Sequence, residues 1–236
     1  MKNKIAILTG STGDIGYSIL KILLKNNYKV IVTYNNKKKI GKISNLKNVF
    51  PFKVDLSKIK DIENFSKKIK TKFPKIDAII NNAGILIEKK IENIRPAEWD
   101  HLMNVNLKAP FFIIQHLKKR LNYGSSIVNV SSVGGQIGGT KSIHYATSKA
   151  GLISLSKSFS KILSNKKIRV NSISPGYINT RMHANKNKKK ISKIIPLQKF
   201  GSTEDVANLV LFIISDKSKY INGANINIDG GYINII

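Results

Sequence analysis

The stretch IAILTGSTGDIGYSIL, residues 5–20, decides the reading of the fold. Residues 5–8 are short, continuous and apolar, as expected of a strand buried on both faces. They run into a turn carrying Gly10, Gly13 and Gly16, and then into a helical segment over 15–26. Glycines allow a tight turn and let backbone approach a pyrophosphate closely. The helix that follows offers free N–H groups and the positive end of its dipole. A glycine turn placed there, closing the first strand and opening a helix, is what dinucleotide binding requires.

The same alternation continues outward along the chain. Compact β-rich runs fall at 29–33, 49–52, 78–80, 127–130, 169–173 and 225–228, and helical patterns at 59–72, 99–121, 144–163 and 204–214. Strand–helix alternation repeated this often predicts an α/β, doubly wound Rossmann fold: a seven-stranded parallel sheet with helices on both faces. No linker or internal repeat interrupts it, so one dinucleotide-binding domain over 1–236 is expected. The least regular part, 181–201, contains the basic run HANKNKKKISKIIP. It leaves the carboxyl end of a strand, where ligands bind in such sheets, and is expected to form a substrate lid.

Composition narrows the function. The chain has no cysteine, which excludes disulfides and thiolate metal sites. No apolar run reaches the roughly 18 residues of a membrane span. The N-terminal MKNKIAIL enters the first strand directly and leaves no room for a signal peptide, so a cytoplasmic protein is expected. Lys plus Arg number 41 against 13 Asp plus Glu, a net charge of +28. Such a balance raises nucleic acid, anionic membrane or an acidic partner. However, the lysines are scattered over the whole chain. Arginine, the better reader of bases and phosphates, occurs only at Arg95, Arg120, Arg169 and Arg181. Compositional bias accounts for most of the charge, and nucleic-acid binding is not expected. His101, His116, His144 and His183 show no ligand spacing, and no metal is expected.

The second run ends in KVIVTYNNKKK, residues 29–39. An acid at that point binds the ribose 2′-hydroxyl of NAD, whereas a 2′-phosphate needs positive charge and no acid. Here Asn35, Asn36 and Lys37 follow Tyr34 without a carboxylate, which favours NADP(H) over NAD(H).

Further on stand NNAG (81–84), NVNL (104–107), VSS (130–132), YATSK (145–149) and SPGYINT (174–180). Together with TGSTGDIG these motifs resemble the short-chain dehydrogenase/reductase family over essentially the whole chain. One departure stands out: Asp14 occupies the place of the usual middle glycine, with Gly13 before it. The resemblance implies a catalytic set of Asn106, Ser132, Tyr145 and Lys149. It also implies a cofactor site built from Gly10, Ser11, Thr12, Gly13, Ile15, Gly16, Asn35, Asn36, Lys37, Asp55, Leu56, Asn82, Ala83, Gly84, Tyr145, Lys149, Pro175, Gly176, Ile178 and Thr180.

The chemistry gives each type of residue a reason. Reducing a carbonyl needs hydride at carbon and a proton at oxygen, so an acid must stand beside the nicotinamide. A free tyrosine titrates near 10. Lys149, four residues after Tyr145 on the same helical face, is expected to lower it. Ser132 would donate to the substrate oxygen, and Asn106 would hold a water linking Lys149 to solvent.

Within the family, NVNLKAPFF, SSVGGQIG and PLQKFGSTEDVA resemble bacterial 3-oxoacyl-[acyl-carrier-protein] reductases of fatty-acid biosynthesis. That resemblance implies acyl carrier protein, an acidic partner, as substrate carrier, with Arg120, Lys166 and Lys167 as docking candidates, and a homotetramer. Two alternatives stay open. One is a reductase or dehydrogenase of a sugar, steroid or small ketone. The other is a cofactor- or RNA-binding protein without chemistry.

Overall fold

The computed structural model describes residues 4–184 and 186–235, without the side chains of Lys37, Lys38, Lys39, Lys42 and Ile235. In it, seven strands form one parallel sheet in the order β3-β2-β1-β4-β5-β6-β7. The strands are β1 (Ile5–Leu8), β2 (Lys29–Tyr34), β3 (Val49–Lys53), β4 (Ile76–Asn81), β5 (Leu121–Val130), β6 (Arg169–Pro175) and β7 (Asn225–Ile228). The order reverses between β1 and β4, which opens a crevice outside the carboxyl ends of those two strands.

The apolar runs are continuous because both faces are covered. Leu8, Val30, Val32, Ile80 and Val128 point to one side. There they meet Ile19, Leu20 and Leu23 of α1 (Asp14–Lys25), Ile40 and Ile43 of α2 (Lys37–Ser44), and Val206, Val210 and Ile213 near the C-terminus. Ile7, Ile31, Ile79, Ile127 and Val170 point to the other side. They pack on Ile62, Phe65 and Ile69 of α3 (Ile59–Lys72) and on the helices that follow.

The expected long helix over 99–121 is broken into pieces. It comprises α4 (Pro96–Met103), a π-turn (Asn104–Lys108), α5 (Ala109–Leu117) and a 3₁₀ turn (Lys118–Arg120), and β5 starts at Leu121. The cause is in the sequence. Pro110 has no N–H to give the carbonyl of Asn106, so the α-helical ladder fails there and the turn widens. Next come α6 (Gly134–Ile137), α7 (Ile143–Ile162), α8 (Lys188–Lys193) and α9 (Thr203–Ile214). Helix α2 carries only two apolar anchors among lysines and a glycine, which is why the sequence pattern did not predict it. Among the described residues, no helix is long and apolar enough to cross a membrane.

Candidate active site

The crevice begins at the glycine turn. Gly10 adopts φ +69°, and a Cβ there would stand 2.8 Å from the Ala83 Cα. A Cβ on Gly16 would collide with the Gly10 carbonyl. Gly13 is less constrained, its nearest neighbour being the Gly10 carbonyl at 3.4 Å. The end of β4 is locked onto this turn. Thr9 Oγ1 accepts from the backbone N–H groups of Asn82 (3.0 Å) and Ala83 (2.9 Å), and Asn82 Nδ2 donates to the carbonyls of Thr9 (3.0 Å) and Gly10 (3.2 Å).

Two cavities meet over this turn, of about 590 and 430 Å³, sharing Ile15, Asn82, Gly84, Thr180 and Met182 in their walls. The larger is lined by Gly10, Thr12, Gly13, Ile15, Gly16, Asn35, Asp55, Leu56, Asn82, Ala83, Gly84 and Thr180 of the expected cofactor set. Tyr145, Lys149, Pro175, Gly176 and Ile178 line the other. Ser11 is fully buried and lies outside both linings, and its hydroxyl has no partner among the described residues. Asn36 is exposed beside α2, and the side chain of Lys37 lies outside the described residues. Thr33, Tyr34, Val54, His101, Val105, Arg181 and Met182 also line the larger cavity and were not expected there. Thr33, Tyr34 and Val105 fall within the stretches that mark their neighbours, whereas no motif marks Val54, His101, Arg181 or Met182.

At the end of β2 the wall consists of Thr33, Tyr34 and Asn35. Asp55, a carboxylate of the same wall, is engaged by the backbone N–H (3.0 Å) and hydroxyl (2.7 Å) of Ser57 and by Lys58 at 3.8 Å. Burial pushes the Asp55 carboxyl upward, but these partners outweigh it and hold it below its ordinary value.

The four residues expected to carry chemistry converge at the carboxyl ends of β4 and β5. Ser132 follows β5, and its Oγ accepts from the Gly134 N–H at 3.1 Å while hydrogen-bonding the Tyr145 phenol. Tyr145 and Lys149 stand one turn apart on α7. Close packing seats that helix: a Cβ on Gly135 would lie 2.7 Å from the Lys149 carbonyl carbon, so α6 and α7 touch backbone to backbone. Ser131 Oγ donates to the Lys149 carbonyl at 2.8 Å. Beneath lies a buried chain in which Asn81 donates to Asn129 and Asn129 to Ser156, each at 2.8 Å. It ties β4, β5 and α7 together.

Asn106 is fully buried with its amide committed. Oδ1 accepts from the Ile85 N–H at 2.9 Å, and Nδ2 donates to the Ile85 carbonyl (3.0 Å) and Ser148 Oγ (3.1 Å). Lys149 Nζ donates to the Val130 carbonyl at 2.8 Å and sits beside Gly84, where a Cβ would lie 3.2 Å from it.

Burial dominates both titrating groups. It lowers Lys149 to about 8. It raises the Tyr145 phenol above its ordinary value, and the Ser132 hydrogen bond offsets only part of that. The expected lowering of Tyr145 by Lys149 is therefore not found in this geometry: the ammonium is turned to a carbonyl, 5.7 Å from the phenol ring centroid.

The residues 181–201 are tied down at several points. Arg181 bonds Asp14, Lys186 Nζ bonds both Glu88 oxygens (2.6 and 2.7 Å), and Lys188 Nζ bonds Asn179 Oδ1 (2.7 Å). Tyr177, His183, Phe200 and Tyr232 form an aromatic cluster at the far end of the smaller cavity. His144 is buried and stacked on Trp99 at 6.3 Å, and burial holds it below its ordinary pKa, consistent with a structural imidazole. Arg169 spends its guanidinium on the carbonyls of Ile213, Ser215 and Ile221, and Arg95 binds Glu98. Three of the four arginines are thus engaged inside the chain, which leaves little for reading bases.

One docking expectation needs correcting. Arg120 immediately precedes β5, and Lys166 and Lys167 precede β6, so all three lie at the amino end of the sheet. Seven residues of β6 separate them from the crevice, about 20 Å of strand. They do not border the cleft of their own chain.

Comparison with known proteins agrees with this geometry. A family model described as enoyl-(acyl carrier protein) reductase matches residues 10–233. A 3-oxoacyl-[acyl-carrier-protein] reductase FabG of Thermotoga maritima is 34% identical over 245 residues, covering 99% of both chains. That of Rickettsia felis is 34% identical, covering 99% of this chain and 98% of its own. Among solved structures, a short chain dehydrogenase family protein from Francisella tularensis superposes with a TM-score of 0.91 at 30% identity, covering 98% of this chain and 99% of its own. A 4-hydroxyisoleucine dehydrogenase complexed with NADH gives 0.92 at 29% identity, covering 98% of both. By fold, site geometry and similarity over nearly its full length, the chain belongs to the short-chain dehydrogenase/reductase family of oxidoreductases.

Proposed function

We propose that this protein is an NADPH-dependent reductase of 3-oxoacyl thioesters carried on acyl carrier protein, forming the 3-hydroxyacyl product in fatty-acid biosynthesis. The observation that carries the chemistry is the convergence of Ser132, Tyr145 and Lys149 on the wall of the smaller cavity, with Asn106 buried beside Gly84 and Lys149. The substrate reading leans on the full-length similarity to reductases named for it. A cytoplasmic location accords with both.

The crevice suits a nicotinamide dinucleotide. A side chain at Gly10 or Gly16 would collide with the backbone of Ala83 or of Gly10 and distort the turn that shapes the cradle at the N-terminus of α1. Gly10, Ser11, Thr12, Gly13, Ile15 and Gly16 would hold the pyrophosphate. Asp55, Leu56 and Asn82 to Gly84 would hold the adenosine side. Pro175, Gly176, Ile178 and Thr180 would lie against the carboxamide. The acid-free end of β2, with Asn35, Asn36 and Lys37, favours a 2′-phosphate. When bound, the dihydronicotinamide supplies hydride to the carbonyl carbon.

The chain's own residues manage the oxygen. Ser132 donates a hydrogen bond to the carbonyl oxygen as negative charge develops there. Tyr145, kept protonated by burial, gives its proton to that oxygen. Lys149 stands one helical turn away to hold the ribose and to attract the phenolate left behind. Asn106, with both Nδ2 hydrogens and one Oδ1 lone pair taken by Ile85 and Ser148, is poorly placed to hold a relay water through its amide. Its main-chain carbonyl, deprived of an α-helical donor by Pro110, is the atom left for that task. The segment 181–201 closes over the substrate as a lid.

We also propose a homotetramer. An apolar hollow of about 480 Å³ opens between the π-turn and α7, walled by Met103, Leu107, Phe111, Gly151 and Leu155, and would be covered by a second copy. Sedimentation of the purified chain as a monomer would refute that assembly.

The deciding experiment is a thioester assay with NADPH and NADH in parallel. Oxidation of NADPH by acetoacetyl thioesters is expected. Turnover of a sugar or small alcohol with NAD, and none with thioesters, would replace the substrate reading with that of another short-chain dehydrogenase.

A further inference from the structure

Asp14 stands at the first position of α1, where a carboxylate interacts well with the helix dipole. That same helix end is the anion site of the proposed cofactor crevice. A carboxylate there would compete with a bound pyrophosphate twice, by occupying the first-turn N–H groups and by its charge. The structure shows neither oxygen turned onto the turn. Oδ2 accepts from the backbone N–H of Arg181 at 2.7 Å and Oδ1 from its Nε at 2.8 Å, with Nη2 at 2.8 Å from Oδ1. Nη2 also reaches the Thr12 carbonyl at 3.3 Å, so the guanidinium lies along the glycine turn itself. The helix cap, Gly13, makes no side-chain bond. Burial raises the Asp14 carboxyl, but the bonds from Arg181 and its charge outweigh this and keep it ionised below its ordinary value. Both residues line the larger cavity, beside Thr180 and Met182.

We infer that Arg181 is a positioning residue for the dinucleotide: it draws the Asp14 carboxylate off the N-terminus of α1, neutralises it, and leaves the turn's amides to an anionic ligand. This rests on the proposed cofactor reading. It explains how a glycine turn with an acid in its midst can still receive a pyrophosphate. The pair also fixes the first residue of 181–201 across the crevice, so charge compensation and lid attachment are one contact.

The test measures affinity of the full chain for NADPH and NADH by quenching of the dihydronicotinamide fluorescence, without substrate. The proteins are wild type, Arg181→Gln, Asp14→Asn and the double variant, each at low and high salt. Arg181→Gln exposes an uncompensated carboxylate and is expected to weaken binding about 5- to 10-fold at low salt, the size of one screened charge interaction. Asp14→Asn removes the carboxylate and frees a cation beside the pyrophosphate, so binding equal to or tighter than wild type is expected. The double variant should recover most of the loss of Arg181→Gln, and the loss should shrink with added salt. The inference is overturned if Asp14→Asn weakens binding as much as Arg181→Gln with no recovery in the double variant. That pattern would make the contact a mechanical clamp. It is also overturned if Arg181→Gln binds as wild type does. Wild-type protein that binds neither dinucleotide would instead sink the cofactor reading on which the inference stands.

Discussion

Replacing Lys149 by Met is expected to abolish turnover and yet stabilise the fold at neutral pH. Lys149 is 3% exposed, and burial lowers its pKa to about 8 from 10.5. At 1.36 kcal/mol per pH unit, keeping it charged in the folded state costs roughly 3 kcal/mol. Met fills a similar volume without that cost. It loses the bond from the Nζ ammonium to the Val130 carbonyl, worth about 1.5 kcal/mol. The variant should therefore be about 1.5–2 kcal/mol more stable than wild type at pH 7. Below pH 8 both folded and unfolded wild-type chains hold the lysine proton, and the penalty is complete. Between about 8 and 10.5 the folded chain has lost the proton and the unfolded chain still binds it, so wild-type stability rises with pH. By pH 10 the advantage of the variant should have closed to about zero. Packing terms do not titrate, so the change of the gap with pH isolates the charge. The assay is urea unfolding of both cofactor-free proteins from pH 7 to 10. A gap that stays constant across that range would refute the claim that burial of the ammonium sets its pKa.

Tyr145→Phe keeps the ring and removes the proton. Turnover should fall about 10²- to 10⁴-fold, the usual worth of a positioned acid, while NADPH binding measured by fluorescence stays near wild type. Asn35→Asp places a carboxylate at the end of β2, where the cavity wall has none. It should shift the ratio of kcat/KM for NADPH and NADH about tenfold toward NADH, through repulsion of the 2′-phosphate. Gly135→Ala drives a Cβ into the Lys149 backbone at 2.7 Å. Helix α6 must retreat from α7, costing about 1–3 kcal/mol, read as a lower thermal midpoint.

The sheet was legible because β1, β2 and β4 at its centre are apolar on both faces, and the motif residues were legible because their spacing is tied to strand ends. What escaped the sequence was local backbone detail and contacts between distant segments. Nothing in KKKIGKIS, with two anchors at Ile40 and Ile43, outweighs its lysines and glycine, so α2 went unseen. Pro110 was visible, but its consequence, a π-turn that rearranges Asn106, depends on the carbonyl four residues earlier. Arg181 and Asp14 are 167 positions apart and meet only because β1 and β6 end on the same side of the sheet. Arg120, Lys166 and Lys167 were misplaced for the same reason: a basic residue near a motif in sequence can lie a strand's length from it in space.

The titration of the site also bears on the protonation state in which Tyr145 meets its substrate. A general base for alcohol oxidation must lose its proton readily, which needs a tyrosine titrating well below 10. Here burial raises Tyr145, and Lys149 faces the Val130 carbonyl rather than the phenol oxygen. Such a tyrosine enters the cycle protonated at neutral pH, ready to act as an acid. Reduction consumes that proton; oxidation would first have to remove it against the burial that holds it. A cofactor wall without an acid at the end of β2 points the same way, since NADPH is the form drawn on for reduction. Two features, one at each end of the crevice, therefore support the proposed reading as an NADPH-dependent reductase.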